Sequence, residues 1–292
     1  MVTAPVATGP AAASTTTQPA DRLADAFAAA RGEDRALLIG YLPAGFPSFE
    51  GGVAALEAMI DGGVDVVEVG LPYSDPLMDG PTIQAAVVRA LAAGTRTRDV
   101  IATVARVAQR APTLVMTYWN PIEQQGPEAF AAALADAGAV GAITPDLVPE
   151  EAGEWLAAAA HHGLAPVFLV APSSSDERIA VVGQTNRGFV YAASAMGVTG
   201  TRTAIGSRAE ELVTRTRPHT DLPVAVGLGV SDGTQAAEVA AYADAVIVGS
   251  AFVRALLDAA TPQAGVDAVR GLAVDLAAGV RRHRDLQPGR PA

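Results

Sequence analysis

The chain has no cysteine. A disulfide framework, a thiolate nucleophile and a cysteine-ligated metal are therefore all excluded. Lysine is absent as well, because every one of the 20 basic residues is arginine. That removes any lysine Schiff base, whether to a carbonyl substrate or to pyridoxal phosphate. Histidine is scarce, with His161, His162, His219 and His283 near expected helix ends or loops. None is paired with a second histidine at a strand end, so no catalytic metal is expected. No apolar run reaches the length of about 18 residues that a membrane helix requires. Positive charge is also in deficit, with 31 acidic against 20 basic residues and a net charge of -11. Such a balance argues against a nucleic-acid or anionic-membrane surface.

What is present is apolar material in short periodic pieces, half of the 292 residues being hydrophobic. Residues 1–20 are rich in Ala, Thr and Pro with no basic start, and read as a disordered tail on a cytoplasmic protein. The spacing of Leu23, Phe27 and Ala30 predicts a short helix over 21–31 that plugs the bottom of a barrel. Strands are expected at 37–42, 64–70, 113–118, 139–143, 166–170, 189–193, 223–227 and 245–248, with Ala-rich amphipathic helices between them and a last helix over 262–282. Runs of Val, Ile and Leu without strict alternation belong to parallel sheets covered on both faces. Eight such units predict a closed (β/α)₈ barrel over 21–284, with a short extra helix after the eighth strand and a tail over 285–292. A doubly wound open sheet would need a nucleotide fingerprint after its first strand. The chain has Tyr41-Leu42-Pro43-Ala44-Gly45-Phe46-Pro47 there instead.

Two carboxyl groups stand out at the second strand. The two-residue period of a strand puts Val64, Val66 and Glu68 on one face, so Glu68 shares its face with valines. Lost hydration raises its pKa toward the range where it both takes and gives a proton near neutrality. Asp79 lies in the turn Met78-Asp79-Gly80-Pro81 and is expected to reach solvent or a ligand and stay ionised. In a barrel of this kind the site lies at the carboxyl ends of the strands. Tyr41, Tyr118, Asn120, Asp146 and Tyr191 end or follow other strands and are expected to line the same mouth.

Three glycine-bearing turns follow late strands: Gly197-Val198-Thr199-Gly200, Gly227-Leu228-Gly229-Val230-Ser231 and Gly249-Ser250-Ala251. Glycine lets backbone N–H groups approach an anion, and a helix start adds its positive dipole end. Together they predict a phosphate site. A phosphorylated substrate, an apolar mouth and a carboxyl pair, without a covalent or metal electrophile, restrict carbon–carbon cleavage to substrates whose own ring accepts the electrons. Indole does this when protonated at C3.

The run Val67-Glu68-Val69-Gly70-Leu71-Pro72-Tyr73-Ser74-Asp75-Pro76-Leu77-Met78-Asp79-Gly80-Pro81-Thr82-Ile83-Gln84 closely resembles the signature of the tryptophan synthase alpha chain family. Gly40-Tyr41 with Ala44-Gly45, Met116-Thr117-Tyr118-Trp119-Asn120-Pro121, Gly197 to Gly200 and Gly229-Val230-Ser231 resemble it too, in the family's order, over about 21–282. The resemblance implies retro-aldol cleavage of indole-3-glycerol phosphate to indole and glyceraldehyde 3-phosphate. It implies Glu68 as general acid/base, Asp79 as the carboxylate that holds the indole N–H, and Tyr191 beside the substrate. Gly200, Gly229, Gly249 and Ser250 fall at the phosphate, and Tyr41, Tyr118, Thr199 and Leu228 at the substrate pocket. It further implies a beta chain as partner in an alpha2-beta2 heterotetramer, with Asp75 at the interface. Pyridoxal phosphate is then expected only on that beta chain, with no cofactor or metal in this one.

Three positions depart from the family's usual pattern: Phe46 where many members have Asp, Leu228 where many have Phe, and Ala195-Met196 where many have a basic residue. A stand-alone lyase releasing free indole, and a weakly active subunit that mainly activates a beta chain, stay open as alternatives. Indole-3-glycerol phosphate synthase, a neighbouring barrel enzyme, resembles the site poorly because that chemistry uses a lysine acid.

Overall fold

The computed structural model describes residues 18–76, 78–193 and 202–282, with only the backbone described at 202–205. Their strands are β1 (Leu37–Pro43), β2 (Val66–Gly70), β3 (Thr113–Met116), β4 (Gly141–Ile143), β5 (Ala165–Val167), β6 (Leu169–Val170), β7 (Val190–Ala193), β8 (Val224–Gly227) and β9 (Ala245–Val248). All neighbours are parallel, in the order β5-β4-β3-β2-β1-β9-β8-β7-β6. The two ends of that order, β5 and β6, are halves of one strand separated by Phe168 alone. The sheet thus closes on itself as an eight-stranded barrel, the architecture expected from the eight apolar runs. At the break Phe168 N donates to Asn186 Oδ1 at 3.0 Å and Phe168 O accepts from Asn186 Nδ2 at 3.0 Å. The Asn186 side chain stands in for a neighbouring strand, as a buried backbone pair requires.

Strand alternation sorts the apolar residues into two cores. Leu37, Ile39, Val66, Leu114, Val167, Phe189, Ala225 and Ile247 fill the barrel. Leu38, Leu42, Val67 and Val69 face outward, where Leu56 and Met59 belong to the same cluster. Burial of each such side chain contributes about 1.5–3 kcal/mol, which makes the register of the strands hard to shift.

The helices are α1 (Pro19–Gly32), α2 (Phe49–Asp61), α3 (Pro81–Ala92), α4 (Thr97–Val107), α5 (Trp119–Gln125), α6 (Pro127–Asp136), α7 (Gly153–His161), α8 (Asp176–Thr185), α9 (Arg202–Thr216), α10 (Gly233–Ala240), α11 (Ser250–Leu257) and α12 (Pro262–Arg281). Helix α1 puts Leu23, Phe27 and Ala30 into the inner core, with the Phe27 and Phe189 rings 5.8 Å apart. It closes the barrel bottom, and starts at Pro19 because proline suits a first helical turn. Helix α5 is not expected from the sequence. Its Pro121 falls in the first turn, where a missing N–H costs nothing, and the strand expected over 113–118 ends early at Met116. The helix after β4 also differs, a short 3₁₀ turn over Pro149–Glu151 preceding α7. Side-chain caps fix other starts: Ser48, Ser175, Asp232 and Thr261 each accept a backbone N–H of the first turn. Among the described residues no helix is long and apolar enough to cross a membrane.

Candidate active site at the barrel mouth

Glu68 is the third residue of β2, registered between Tyr41 on β1 and Leu114 on β3. Its inward face carries it into the barrel, where it is 1% exposed and neither carboxyl oxygen has a hydrogen-bond partner among the described residues. An unpaired buried charge is costly, so the group favours its neutral form. Burial alone pushes its pKa up to about 8.

Asp79 is delivered by the loop that leaves β2. Leu71 N donates to Met116 O at 2.9 Å, and Met78 N donates to the Tyr118 hydroxyl at 2.9 Å. Asp79 N donates to Pro76 O at 3.2 Å, and Gln84 Nε2 donates to Asp79 O at 2.8 Å. The loop is therefore pinned on both sides of the carboxylate. The sequence opens this carboxylate to solvent or a ligand; in the structure it is half-buried, and burial pushes its pKa up to about 6. At pH 7 a group with that pKa is still ionised about ten to one.

Three tyrosines close around the pair. Tyr41 is buried, and its phenol is held well above the usual range by burial and by the charges of Asp79 and Glu68. Tyr191 is raised by burial and then by the same two carboxylates. Both phenols stay neutral and able to donate. Each stands against a glycine where a side chain has no room: a Cβ on Gly70 falls 2.3 Å from the Tyr41 hydroxyl, and one on Gly227 falls 2.5 Å from the Tyr191 hydroxyl. Tyr118 is buried, pushed up to about 12 mainly by burial, with its ring centre 5.3 Å from that of Tyr73. Asp146 and Asn120 do not join this group directly. Asp146 accepts from Trp119 N at 2.9 and 3.2 Å and so caps α5, while Asn120 is exposed on that helix.

The anion end lies beside them. Gly229 has φ +71, a left-handed backbone that favours glycine. Gly249 is the N-cap of α11 and Ser250 its first residue. A cleft lined by Gly229, Ser231, Ser250, Ala251 and Arg254 joins the two turns. Gly249 also approaches the Tyr41 ring, so the cleft abuts the mouth. Thr199 and Gly200, with Ala195 and Met196, lie outside the described residues. Leu228 is partly buried against the outer core, Phe46 is fully buried in it, and Asp75 is exposed.

Arg254 is the residue of this cleft that the sequence reading missed. It stands four positions after Ser250 on α11, hence on the same helix face, and its Nη2 donates to Thr82 Oγ1 at 2.8 Å. That bond ties the cleft to the start of α3, three residues beyond Asp79. The described histidines are elsewhere: His161, His162 and His219 precede β5 and β8, at the end of the barrel opposite the mouth.

Comparisons with known proteins agree with one another. The family model for "Tryptophan synthase alpha chain" matches residues 27–280. A tryptophan synthase alpha chain from Streptomyces avermitilis is 59% identical over 261 residues, spanning 89% of this chain and 94% of that one. Among solved structures, Mycobacterium tuberculosis tryptophan synthase matches with a TM-score of 0.83 at 51% identity, over 89% of this chain and 98% of that one. Tryptophan synthase subunit alpha from Legionella pneumophila matches with a TM-score of 0.81 at 31% identity, over the same shares of the two chains. With a family model covering most of its length and a relative at 59% identity, the chain belongs to the tryptophan synthase alpha chain family.

Proposed function

We propose that the chain cleaves indole-3-glycerol phosphate to indole and glyceraldehyde 3-phosphate, the alpha reaction of tryptophan biosynthesis, with Glu68 and Asp79 as its working carboxyl groups. The observation that carries this reading is two carboxyl groups at one mouth whose surroundings set them apart, Glu68 at about 8 and Asp79 at about 6. At pH 7 the first holds a proton and the second is charged, which is how a single site acquires an acid and a base.

Glu68 gives its proton to indole C3, and positive charge develops over the ring and its N–H, where the Asp79 carboxylate holds it. The bond between C3 and the glycerol carbon then breaks, and its electron pair returns to the ring. The glycerol hydroxyl on that carbon loses its proton to Glu68 as the aldehyde forms, so the acid is regenerated. The ring is the electron sink, in keeping with a chain that has no lysine for a Schiff base. Tyr191 and Tyr41, both neutral, flank the reacting atoms. Backbone N–H groups at Gly229 and Gly249 and the Ser250 start of α11 hold the phosphate, and Gly200, which lies outside the described residues, is assigned to the same site by the family resemblance. Thr199, Tyr118 and Leu228 complete the pocket.

Indole passes to a beta chain, which carries the pyridoxal phosphate, in a cytoplasmic alpha2-beta2 assembly. Phe46 and Leu228 support this reading at their departures, since both are taken up in packing and neither displaces a carboxyl group. The test is indole release by the isolated chain, repeated with a beta chain present. Glu68→Gln and Asp79→Asn should each lower the rate by about 10²–10⁴ while leaving the fold intact. Near-native turnover in either folded variant rules out the role given to that residue. Fast release by the chain alone, unchanged by a beta chain, points to a stand-alone lyase.

A further inference from the structure

We infer that Glu128, His161 and His162 form a divalent transition-metal site on the helix layer, separate from the barrel mouth. Two imidazoles converge on one oxygen: His161 Nδ1 lies 2.9 Å and His162 Nε2 lies 2.8 Å from Glu128 Oε1. The three ligand atoms all fall within 4.8 Å of one another, and the two rings are 4.6 Å apart. Two ring nitrogens and a carboxylate oxygen brought this close form a ligand set that one cation can span.

The geometry is close to what such a centre demands. With bonds of about 2.0–2.2 Å, tetrahedral ligand atoms stand about 3.3–3.5 Å apart. The 2.9 and 2.8 Å separations need to open by about half an ångström, and the ring nitrogens lie within 4.8 Å of each other, adjustments within the reach of the exposed His161 and Glu128 side chains. Two nitrogens and one carboxylate oxygen select zinc, cobalt, nickel or copper over calcium and magnesium, which take oxygen ligands. Glu154 lines the same groove between α6 and α7 and adds negative potential, and water can complete the coordination.

The place in the fold gives the site its consequence. His161 ends α7 and His162 caps it, and the next residue, Gly163, accepts through its carbonyl from Ala20 N of the plug helix α1 at 3.0 Å. A bound ion joins α6 to the end of α7, beside the bottom of the barrel. The ion is structural, and this inference is independent of the cleavage chemistry.

The test is calorimetric titration of the full, untagged chain with zinc chloride, followed by the absorption spectrum of the cobalt-loaded protein. Wild type should take up one equivalent and show the intense visible bands of four-coordinate cobalt. Loss of a single outer-shell partner costs about 10–100-fold in metal affinity, so Glu128→Gln, and His161→Ala combined with His162→Ala, should each weaken zinc by at least that much. His219→Ala should not. Failure of wild type to take up an equivalent, or equal uptake by the double variant, overturns the site. All three side chains are partly or fully exposed, so the variants fold and the comparison stands.

Discussion

At the scale of single residues, Glu68 carries the sharpest consequence, because the barrel that positions it also penalises its charge. Its folded pKa of about 8 lies above its ordinary value of 4.5, so between those two values the native state keeps a proton that the unfolded chain has released. Stability must fall as pH rises through that window, by on the order of 5 kcal/mol if the whole shift is expressed. Glu68→Gln removes the titrating group and should be more stable than the parent at pH 9 while losing catalysis. Urea unfolding at pH 6 and pH 9 checks this, and parallel curves for the two proteins refute it. The same pair of carboxyl groups sets the expected pH dependence of kcat/KM. Activity should rise through about 6 as Asp79 ionises and fall through about 8 as Glu68 loses its proton. In the residual activity of Asp79→Asn the acid limb should vanish and the alkaline limb remain.

Elements, taken one by one, show why some parts of this molecule are written in local sequence and others are not. Each of the eight apolar runs declares its strand, because burial on both faces selects mostly Val, Ile, Leu and Ala, and the inward period of β2 locates Glu68 without further help. The break at Phe168 is not legible, since the group that repairs it, Asn186, lies 18 residues away. Helix α5 hides behind a proline that its first turn tolerates. The surroundings of Asp79 are legible only in part: turn-forming residues mark a carboxylate open to solvent or a ligand, but not its partial burial or the bond from Met78 N to the Tyr118 hydroxyl, which comes from beyond a different strand. Arg254 is missed although the short helix after the last strand is foreseen, because its bond to Thr82 joins residues 172 positions apart. Long-range ion pairs likewise emerge only in the fold. Asp65, just before β2, accepts both Arg35 guanidinium nitrogens at 2.8 Å and Leu38 N at 2.9 Å. The Arg35 and Asp65 side chains are only 9% and 18% exposed. Arg35 keeps Glu33 as a second partner, but Asp65→Ala removes both of these Arg35 bonds and leaves Leu38 N without its acceptor, and should therefore cost about 2 kcal/mol. Asp61→Ala, which loses two exposed bridges to Arg110 and Arg270, should cost under about 1 kcal/mol. Chemical denaturation of the two variants separates these values, and equal losses contradict the distinction.

For the whole molecule the question that the proposed function raises is how a partner at the mouth would act on a barrel that is rigid at its core. The loop from Gly70 to Asp79 is anchored where Leu71 leaves β2 and where Met78 meets Tyr118. Between these anchors Ser74 and Asp75 are exposed, and Pro72 and Pro76 have no N–H to give. Tyr73 packs on Tyr118 between them, so the exposed part is short, and a segment held mainly through its anchors is one that binding can order. Asp79 hangs on the second anchor, so ordering of the crest is transmitted to the carboxylate. A tenfold rise in the competent population needs only about 1.4 kcal/mol of differential binding, less than one good interfacial contact supplies. The isolated chain should accordingly release indole slowly and a beta chain should accelerate it strongly. Asp75→Ala, altering an exposed crest residue that touches neither carboxylate, should lose that acceleration while leaving the basal rate within about twofold, the effect of a surface change of under 0.5 kcal/mol. Indole release with and without a beta chain, measured for both proteins, decides it. Full stimulation of Asp75→Ala moves the partner contact elsewhere on the mouth, and a lowered basal rate without loss of stimulation makes Asp75 a support of the loop instead.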